Sequence, residues 1–311
     1  MRIFLAGATG AVGRALVPVL VQAGHDVVGT TRTPAKAAEL AEAGAEPAVL
    51  DALDRDAVFD AVAAAEPDVV VHQLTALSGL ADFRRFDDDF ATTNRLRTTG
   101  LDHLLAASSA HGVRRFVAQS YTGWTNERTG SPVKTEEDPL DPNPTKPSRR
   151  SLQAIRHLEA AVTRADLEGI VLRYGFFYGP GNTIGEGGEV LEMIRRRRLP
   201  IVGGGTGIWS FVHIADVANA TLAAIERAAP GVYNIVDDEP APVHTWLPYL
   251  AEVLGAAPPL RLPAWLARPM LGEHGLAVMT EIRGSSNAKA KREFGSTLTY
   301  PTWREGFRSG L

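Results

Sequence analysis

The sequence predicts an α/β fold: a doubly wound parallel sheet with a smaller lobe formed by the C-terminal part of the chain. In the first half, short apolar runs alternate with Ala- and Leu-rich stretches of helical spacing. Such alternation is typical of parallel strands covered by helices on both faces. After Gly179 it gives way to Gly-rich turns, short helices and prolines, which indicates a separate, smaller lobe.

The predicted elements follow one another through short connections. Strands are predicted over residues 3–6, 26–30, 47–50, 68–72, 114–120 and 169–174, and helices over residues 12–23, 34–43, 54–65, 93–111 and a segment that contains 151–155. The Pro-, Asp- and Thr-rich stretch 125–147 is longer than most connections, so we interpret it as a lid or substrate loop.

The composition excludes several classes of function. The chain of 311 residues has a net charge of -4, which argues against a general nucleic-acid binder. It contains no cysteine, so disulfides, thiolate nucleophiles and Cys-ligated metals are excluded, and this fits a reducing cytoplasm. Neither a signal peptide nor a membrane-spanning window is apparent, and no His, Asp or Glu spacing suggests a metal site. We therefore expect a cytoplasmic protein with a small-molecule substrate.

The stretch "FLAGATGAVGRAL" indicates a dinucleotide site. Gly7, Gly10 and Gly13 stand between the first strand and the first helix, where they permit a tight turn, close approach of a pyrophosphate and close packing of the helix. The N-terminus of the helix then offers free N–H groups and the positive end of its dipole to phosphate. This context, at the start of a repeated β-α pattern, predicts a Rossmann domain over residues 1–179. Residues 180–311 would form the substrate lobe, and the two lobes can exchange segments.

The end of the second strand indicates which dinucleotide binds. A site for NAD places Asp or Glu there to hold the ribose 2′-hydroxyl, whereas this chain has Thr30, Thr31 and Arg32. An arginine favours a 2′-phosphate, so we predict that NADP(H) is preferred over NAD(H). Alternatively, Arg32 stacks on the adenine or is simply solvated. Asp51, after the third strand, either meets the adenine amino group or caps the following helix.

An ordered set of motifs resembles a known family. "GATGAVG", "VVVHQLTA", Asn94 with Thr98, "LRYGFFYGPG", "FVHIADVANA" and "VYNIVDDEP" are similar to segments of the extended short-chain dehydrogenase/reductases, also called the NAD-dependent epimerase/dehydratase family. The resemblance covers nearly the whole chain. It implies a cofactor lobe, a substrate lobe and action on nucleotide sugars, steroids, flavonoids or other small alcohols and ketones. It also implies that further residues contact the cofactor: Thr9, Ala11, Val12, Leu74, Thr75, Ala76, Asn94 and Tyr174.

The chain departs from the family in its catalytic pair. The family uses a Ser or Thr at the end of the fifth strand and a Tyr-x-x-x-Lys in the next helix, where the phenol exchanges a proton with the substrate and the ammonium lowers the phenol pKa. Alignment on Glu159 puts Ser151 in the Tyr position and Ile155 in the Lys position, and no Tyr-x-x-x-Lys occurs in the chain. Lys146, Arg149 and Arg150 either supply the missing charge or lie in solvent.

Other hydroxyl groups are candidates for the catalytic role. Tyr121 follows the fifth strand, where ligands sit in such sheets, and either donates a proton or packs in the fold. One of its neighbours, Ser120 or Thr122, would bind the substrate oxygen. Tyr174, at the end of the sixth strand, is a further candidate.

Three functional hypotheses remain open. The first is an NADP(H)-dependent oxidoreductase or epimerase-like enzyme with a non-standard proton donor, acting on a small carbonyl, alcohol or activated alkene. A hydride acceptor that needs little help from a proton would tolerate loss of the pair. The second is a non-catalytic NADP-binding sensor or regulator, and the third is a non-redox lyase, isomerase or cyclase that uses the same pocket.

The resemblance also implies a homodimer. The family dimerises through a four-helix contact, which here would use the helices near 93–111 and 151–165. The second of these carries an apolar stripe that would serve either this contact or the core, formed by Leu152, Ile155, Leu158 and Val162.

Overall fold

The structure, a computed structural model, describes residues 1–77, 79, 81–295 and 297–311. Its strands are β1 Arg2–Ala6, β2 Asp26–Thr31, β3 Glu46–Val49, β4 Val69–His72, β5 Arg115–Tyr121, β6 Val133–Lys134, β7 Glu168–Tyr174, β8 Phe176–Tyr178, β9 Ile201–Val202, β10 Ile208–Trp209, β11 Phe211–His213, β12 Gly231–Ile235, β13 Ala241–Pro242, β14 Arg261–Leu262 and β15 Gly284–Ser285. Its α-helices are α1 Ala11–Gln22, α2 Ala37–Glu42, α3 Arg55–Ala65, α4 Phe86–Asp89, α5 Ala91–Arg95, α6 Leu101–Ala110, α7 Arg149–Arg164, α8 Glu189–Arg195, α9 Ile214–Arg227, α10 Val243–Val253, α11 Ala264–Thr280, α12 Ala288–Phe294 and α13 Trp303–Ser309.

Seven parallel strands form the central sheet, in the order β12-β7-β5-β4-β1-β2-β3. Ile3 of β1 pairs with Val27 of β2 on one side and Val69 of β4 on the other. The strand order therefore reverses direction at β1, and in such sheets ligands bind in the crevice beyond the carboxyl ends of the strands at this point. The predicted fold class is confirmed.

Alternate residues of β1 enter two different cores. Ile3 and Leu5 pack in the cluster that includes Leu16 of α1 and Val217 of α9. Phe4 and Ala6 pack in the cluster on the opposite face, with residues of α3, α6 and α7. Since side chains along a strand point alternately to the two faces, a run of apolar residues such as "IFLA" is required where both faces are covered.

The second lobe has its own apolar core, which contains Phe211, Trp246 and Trp303. The chain then returns to the first lobe: α9 packs on the sheet, and β12 forms the edge strand beside β7, with Val232 opposite Val171. The domain boundary predicted at residue 180 therefore does not separate the sheet, because β12, from the second part of the chain, pairs with β7 of the first.

The predicted helix over residues 93–111 is interrupted in the structure. Between α5 and α6, residues Leu96–Gly100 form a π-helical segment. Such segments are rare and are often found at functional sites. The predicted helix over 34–43 is likewise divided, into a 3₁₀ turn Pro34–Lys36 and the short α2. None of the helices within the described ranges is both long and apolar enough to cross a membrane.

The apolar stripe of α7 belongs to the core. Leu152, Ile155, Leu158 and Val162 are all fully buried within the chain. The outward face of α7 is polar, with His157 bound to Asp102 of α6 at 2.7 Å. Of the two roles predicted for the stripe, the structure therefore assigns it packing within the chain.

Candidate active site

Two of the three glycines of the motif, Gly7 after β1 and Gly13 in the first turn of α1, are required by the packing of the chain itself. Gly7 has φ +95°, and a Cβ at this residue would lie 2.7 Å from the carbonyl oxygen of Gln73. A Cβ at Gly13 would overlap the carbonyl oxygens of Gly7 and Ala8. At Gly10 the nearest atom to a Cβ would be the carbonyl oxygen of Gly7 at 3.3 Å, on an exposed surface. The space above Gly10 is therefore open to a ligand.

The N-terminus of α1 fits a phosphate group. Gly10 is the N-cap residue, no side chain caps the helix, and its first turn contains no acidic residue. Its N–H groups and dipole therefore present positive potential that the chain does not neutralise. Together with the open surface at Gly10, this arrangement fits the pyrophosphate of a dinucleotide. Thr9, Ala11 and Val12 lie in the same turn and helix start.

The end of β2 has no carboxylate for a ribose hydroxyl. The Thr30 hydroxyl accepts a hydrogen bond from the Gly7 N–H at 3.1 Å, and the Thr31 hydroxyl accepts one from the Thr33 N–H, also at 3.1 Å. Arg32 is exposed, and its guanidinium has no hydrogen-bond or ion-pair partner among the residues that the structure describes. A cationic side chain is therefore free beside the site expected for the ribose.

The remaining residues expected at the cofactor lie along the same edge of the sheet. Asp51 is exposed after β3 and accepts a hydrogen bond from the Leu53 N–H at 3.0 Å. The N-cap of α3 is Asp54, so the capping role considered for Asp51 belongs to its neighbour. The half-buried segment Leu74, Thr75 and Ala76 follows β4, with the Ala76 N–H bound to the Thr93 hydroxyl at 3.0 Å.

Ser151, predicted to stand in the position of the family's tyrosine, is held inside a hydrogen-bonded chain. Its hydroxyl donates to Asp87 Oδ1 at 2.6 Å and accepts from Asn94 Nδ2 at 3.0 Å. Asp87 also accepts the backbone N–H groups of Arg150 and Ser151, so it caps the first turn of α7. Ser151 is fully buried, and Ile155 is fully buried in the core of the second lobe. Both positions are thus occupied by residues with a structural role.

Two hydroxyls of the "SYT" segment are also bound within the fold. Ser120 donates to Glu159 Oε1 at 2.7 Å, and Glu159 forms a two-pronged ion pair with Arg173. Thr122 shares a hydrogen bond of 2.6 Å with Ser285 of the second lobe and donates to Asn126 at 3.1 Å. Ser120 and Thr122 are both buried, and their hydroxyls join elements of the fold.

Tyr174 lies apart from this segment, on the sheet beneath α9. Its hydroxyl accepts from Gln73 Nε2 at 3.0 Å and shares a hydrogen bond of 2.7 Å with Thr221. The side chain is fully buried, and burial raises its pKa to about 12. In this arrangement its hydroxyl is bound on two sides by protein groups.

Tyr121 differs from these candidates. The ring is half-buried, 5.6 Å from the ring of Phe176 and 6.0 Å from that of Trp124, measured between ring centres. Its hydroxyl has no hydrogen-bond partner in the described part of the chain. Burial raises the pKa of this phenol well above its usual value, and the charge of Arg97 opposes the rise. The phenol is therefore neutral at physiological pH, which suits a proton donor.

Arg97, in the π-helical segment, was not among the residues predicted from the sequence, and it lies within electrostatic range of Tyr121. Its side chain is 4% exposed, and its Nη1 has no hydrogen-bond partner. Burial lowers its pKa to about 10, so it remains charged at neutral pH. The signal in the sequence was indirect: Arg97 lies between Asn94 and Thr98, which belong to a quoted motif, and the lysine expected on α7 is missing.

Arg150, one of the three cations considered from the sequence, is bound elsewhere. Arg150 is exposed and paired with Asp88 at 2.6 Å, so it does not supply the missing charge. A pocket of about 560 Å³ lies between the 125–147 loop and the end of α11, where Arg128 pairs with Asp141 and Glu281. This pocket contains none of the residues predicted from the sequence.

Comparisons with known proteins show the family of the chain. The model of the NAD dependent epimerase/dehydratase family matches residues 3–236. The chain is 43% identical over 307 residues to a 3-diazoavenalumate denitrifying reductase of a Streptomyces species, covering 98% of this chain and 99% of the relative. It is 29% identical to a 2-alkyl-3-oxoalkanoate reductase of Stenotrophomonas maltophilia, with 82% of this chain and 76% of the relative covered.

Among solved structures, the chain is similar to a Thermotoga maritima UDP-glucose 4-epimerase with UDP-glucose, with TM-score 0.76, 23% identity and coverage of 99% and 96% of the two chains. It is also similar to a Bordetella bronchiseptica enzyme in complex with NAD and UDP, with TM-score 0.77, 18% identity and coverage of 100% and 94%. At these identities the likeness shows the fold alone.

Proposed function

Because the chain belongs to the NAD dependent epimerase/dehydratase family and is an NAD(P)-dependent enzyme, we propose that it is an NADPH-dependent reductase that does not use a Tyr-x-x-x-Lys pair. One observation carries this proposal: Ser151 and Ile155, in the positions of the pair, are fully buried and bound or packed within the fold. The substrate must then accept hydride without a proton from these two positions.

The glycine-rich turn, the uncapped N-terminus of α1 and Arg32 would hold the dinucleotide, with Arg32 at the 2′-phosphate. When bound, the reduced nicotinamide supplies a hydride. A diazo group on a substrate carbon fits the missing pair, because replacing diazonium nitrogen by hydride, R–N₂⁺ + H⁻ → R–H + N₂, consumes no proton. The relative that is 43% identical carries a name for a reductase of a diazo compound, which supports the same class of substrate here.

A second candidate is reduction of a small carbonyl, with Tyr121 as proton donor. The observation that favours it is the half-buried Tyr121 phenol, neutral and without a protein partner. The relative from Stenotrophomonas maltophilia is named for reduction of an oxo acid. The carbonyl oxygen would need the phenol within about 2.6–3.2 Å. In this proposal Ser120, Thr122 and Tyr174 keep the structural roles given by their hydrogen bonds.

To test the proposal, the purified protein is incubated with 3-diazo-4-hydroxybenzoate and with NADPH that is deuterated at nicotinamide C4. We expect N₂ release and deuterium on the carbon that carried nitrogen, and faster turnover with NADPH than with NADH. Deuterium transfer only to an oxo compound such as 2-methyl-3-oxobutanoate would favour the carbonyl candidate. Tight binding of NADPH with no transfer to either compound would favour the sensor hypothesis, and conversion without deuterium transfer would favour the non-redox one.

We keep homodimerisation and a cytoplasmic location as proposals that rest on the family resemblance and on the absence of cysteine. The stripe of α7 does not support the dimer, since its residues are buried within one chain. Light scattering of the purified chain would give the mass that decides between monomer and dimer.

A further inference from the structure

Arg97 is a buried cation without a counter-charge. Its side chain is nine-tenths or more enclosed, its Nη1 has no partner, and no ion pair or hydrogen bond to the guanidinium occurs in the described part of the chain. Burying a guanidinium without a partner is costly, so such a group is expected to meet a ligand that supplies the missing charge.

Two contacts show where Arg97 lies relative to α7. Asn94 binds Ser151 at 3.0 Å, and Asp102 binds His157 at 2.7 Å, so the helical stretch 91–110 runs parallel to α7. The interval between these contacts places Arg97 about level with Gln153, in the first two turns of α7. Arg97 also lies within electrostatic range of His72 at the end of β4 and of Tyr121 at the end of β5. It is therefore at the ligand-binding edge of the sheet.

Aromatic rings line this region. The guanidinium carbon of Arg97 lies 6.0 Å from the centre of the Phe90 ring, and Phe90 stacks on Phe86 at 4.1 Å. The row of rings continues through Trp124 and Tyr121 to Phe176. Phe90, Tyr121 and Phe176 are only half-buried, so their faces remain available to an aromatic ligand.

The carboxylate of Asp87 already has hydrogen-bond partners on both of its oxygens. Asp87 uses Oδ1 for the N–H and hydroxyl of Ser151 and Oδ2 for the N–H of Arg150. The group that faces Arg97 electrostatically is Tyr121, and this phenol is neutral because its pKa is raised. The chain therefore provides no anion for Arg97 from these elements.

We propose that Arg97 binds the carboxylate of an aromatic substrate whose ring packs against Phe90, Tyr121 and Phe176. A guanidinium matches a carboxylate through two parallel N–H···O bonds, which also fixes the orientation of the ring. This inference rests on the proposed function in that it assigns the substrate class of the same site.

The test measures binding, so it does not depend on turnover. Isothermal titration calorimetry of the full chain with NADP⁺ would compare 4-hydroxybenzoate with its neutral amide, 4-hydroxybenzamide. We expect the benzoate to bind at least about tenfold more tightly than the amide. The Arg97→Gln variant should lose this difference while its affinity for the amide stays the same. The Arg95→Gln variant, with an exposed arginine on the same helix, should retain it.

Equal binding of the two probes by the unaltered chain, no binding of the benzoate, or an equal loss for both probes in Arg97→Gln would overturn the inference. If Arg97→Gln does not fold, Arg97→Lys keeps the charge without the planar fork, and we expect its preference for the benzoate to be smaller than that of the unaltered chain. A carboxylate preference without reduction of any compound would refute the reductase and leave the carboxylate site standing.

Discussion

The Ser151 hydroxyl donates a hydrogen bond of 2.6 Å to Asp87 Oδ1. Asp87 also binds the N–H groups at the start of α7, so this contact joins α4 to α7 at the place where the sequence predicts the family's tyrosine position. The position has become part of the framework of the protein, and its hydroxyl proton is already committed to a carboxylate.

Replacing Ser151 with alanine should lower stability without changing catalysis. Asp87 and Asn94 would each lose a buried partner, so we expect the free energy of unfolding to fall by about 1–3 kcal/mol. Urea unfolding measures the loss, and Gln153→Ala, on the exposed side of the same helix, is the control. A lower kcat with unchanged stability would contradict this prediction.

Substitutions at Gly10 and Gly13 should separate binding from folding. A Cβ at Gly13 would overlap two carbonyl oxygens, so Gly13→Ala should reduce the melting temperature. Gly10→Ala places its Cβ in the space open to the cofactor, so the chain should fold but bind dinucleotide poorly. Calorimetric melting and NADPH fluorescence measure the two effects. Normal NADPH affinity in Gly10→Ala would show that the pyrophosphate lies elsewhere.

Arg32→Ala should reduce the preference for NADPH. Losing charge-assisted hydrogen bonds to a 2′-phosphate should weaken NADPH binding about 10- to 100-fold and leave NADH binding nearly unchanged. Fluorescence titration with both dinucleotides measures the ratio of affinities. Arg55→Ala removes an exposed arginine that packs on Phe59 and serves as the control. Equal weakening of NADH and NADPH would indicate stacking on the adenine.

Tyr121→Phe distinguishes the two candidate reactions. Reduction of a carbonyl should slow by about 10²–10⁴-fold, because the alkoxide would lose its proton donor. Reduction of a diazo compound should keep its kcat, since no proton is needed. The experiment compares kcat for both substrates, with circular dichroism as the check of folding. A large loss with the diazo compound would assign Tyr121 a role other than proton donation.

Because His274 is buried, we expect the folded protein to lose stability in mild acid. Burial lowers its pKa from 6.5 to about 4, so between these pH values the unfolded chain binds the proton more readily than the folded one. The free energy of unfolding should therefore fall as pH decreases from 6.5 towards 4, by up to about 1.4 kcal/mol per pH unit for this group. His72, with its pKa also lowered to about 4, adds to the slope. In His274→Gln the slope measured by urea unfolding should be shallower, and an unchanged slope would refute this assignment.

The sequence was sufficient for the features that local patterns determine. Gly13 is recognisable because a close approach of helix and strand permits no Cβ, and the end of β2 is recognisable because Arg32 follows a buried strand. The alternation of parallel strands and helices follows from the same local reasoning, whereas the prediction that Ser151 and Ile155 replace the pair rests on alignment with the family.

The roles of single hydroxyls could not be read from the sequence. Thr122 meets Ser285, 163 residues away, and Tyr174 meets Gln73 and Thr221. Such contacts depend on packing between distant elements, which local spacing does not record. Arg97 was missed for the same reason, because an arginine in a helix is ordinarily solvated and only its burial here reveals it.

The return of β12 to the sheet has a consequence for synthesis of the chain. On the ribosome, β7 emerges more than fifty residues before β12, its partner at the edge of the sheet. Until Gly231–Ile235 is made, the apolar strand Glu168–Tyr174 has one unpaired side, and such edges invite pairing with other chains. A nascent chain arrested before residue 231 should therefore be prone to aggregation, and a chaperone that shields β7 during translation would protect it.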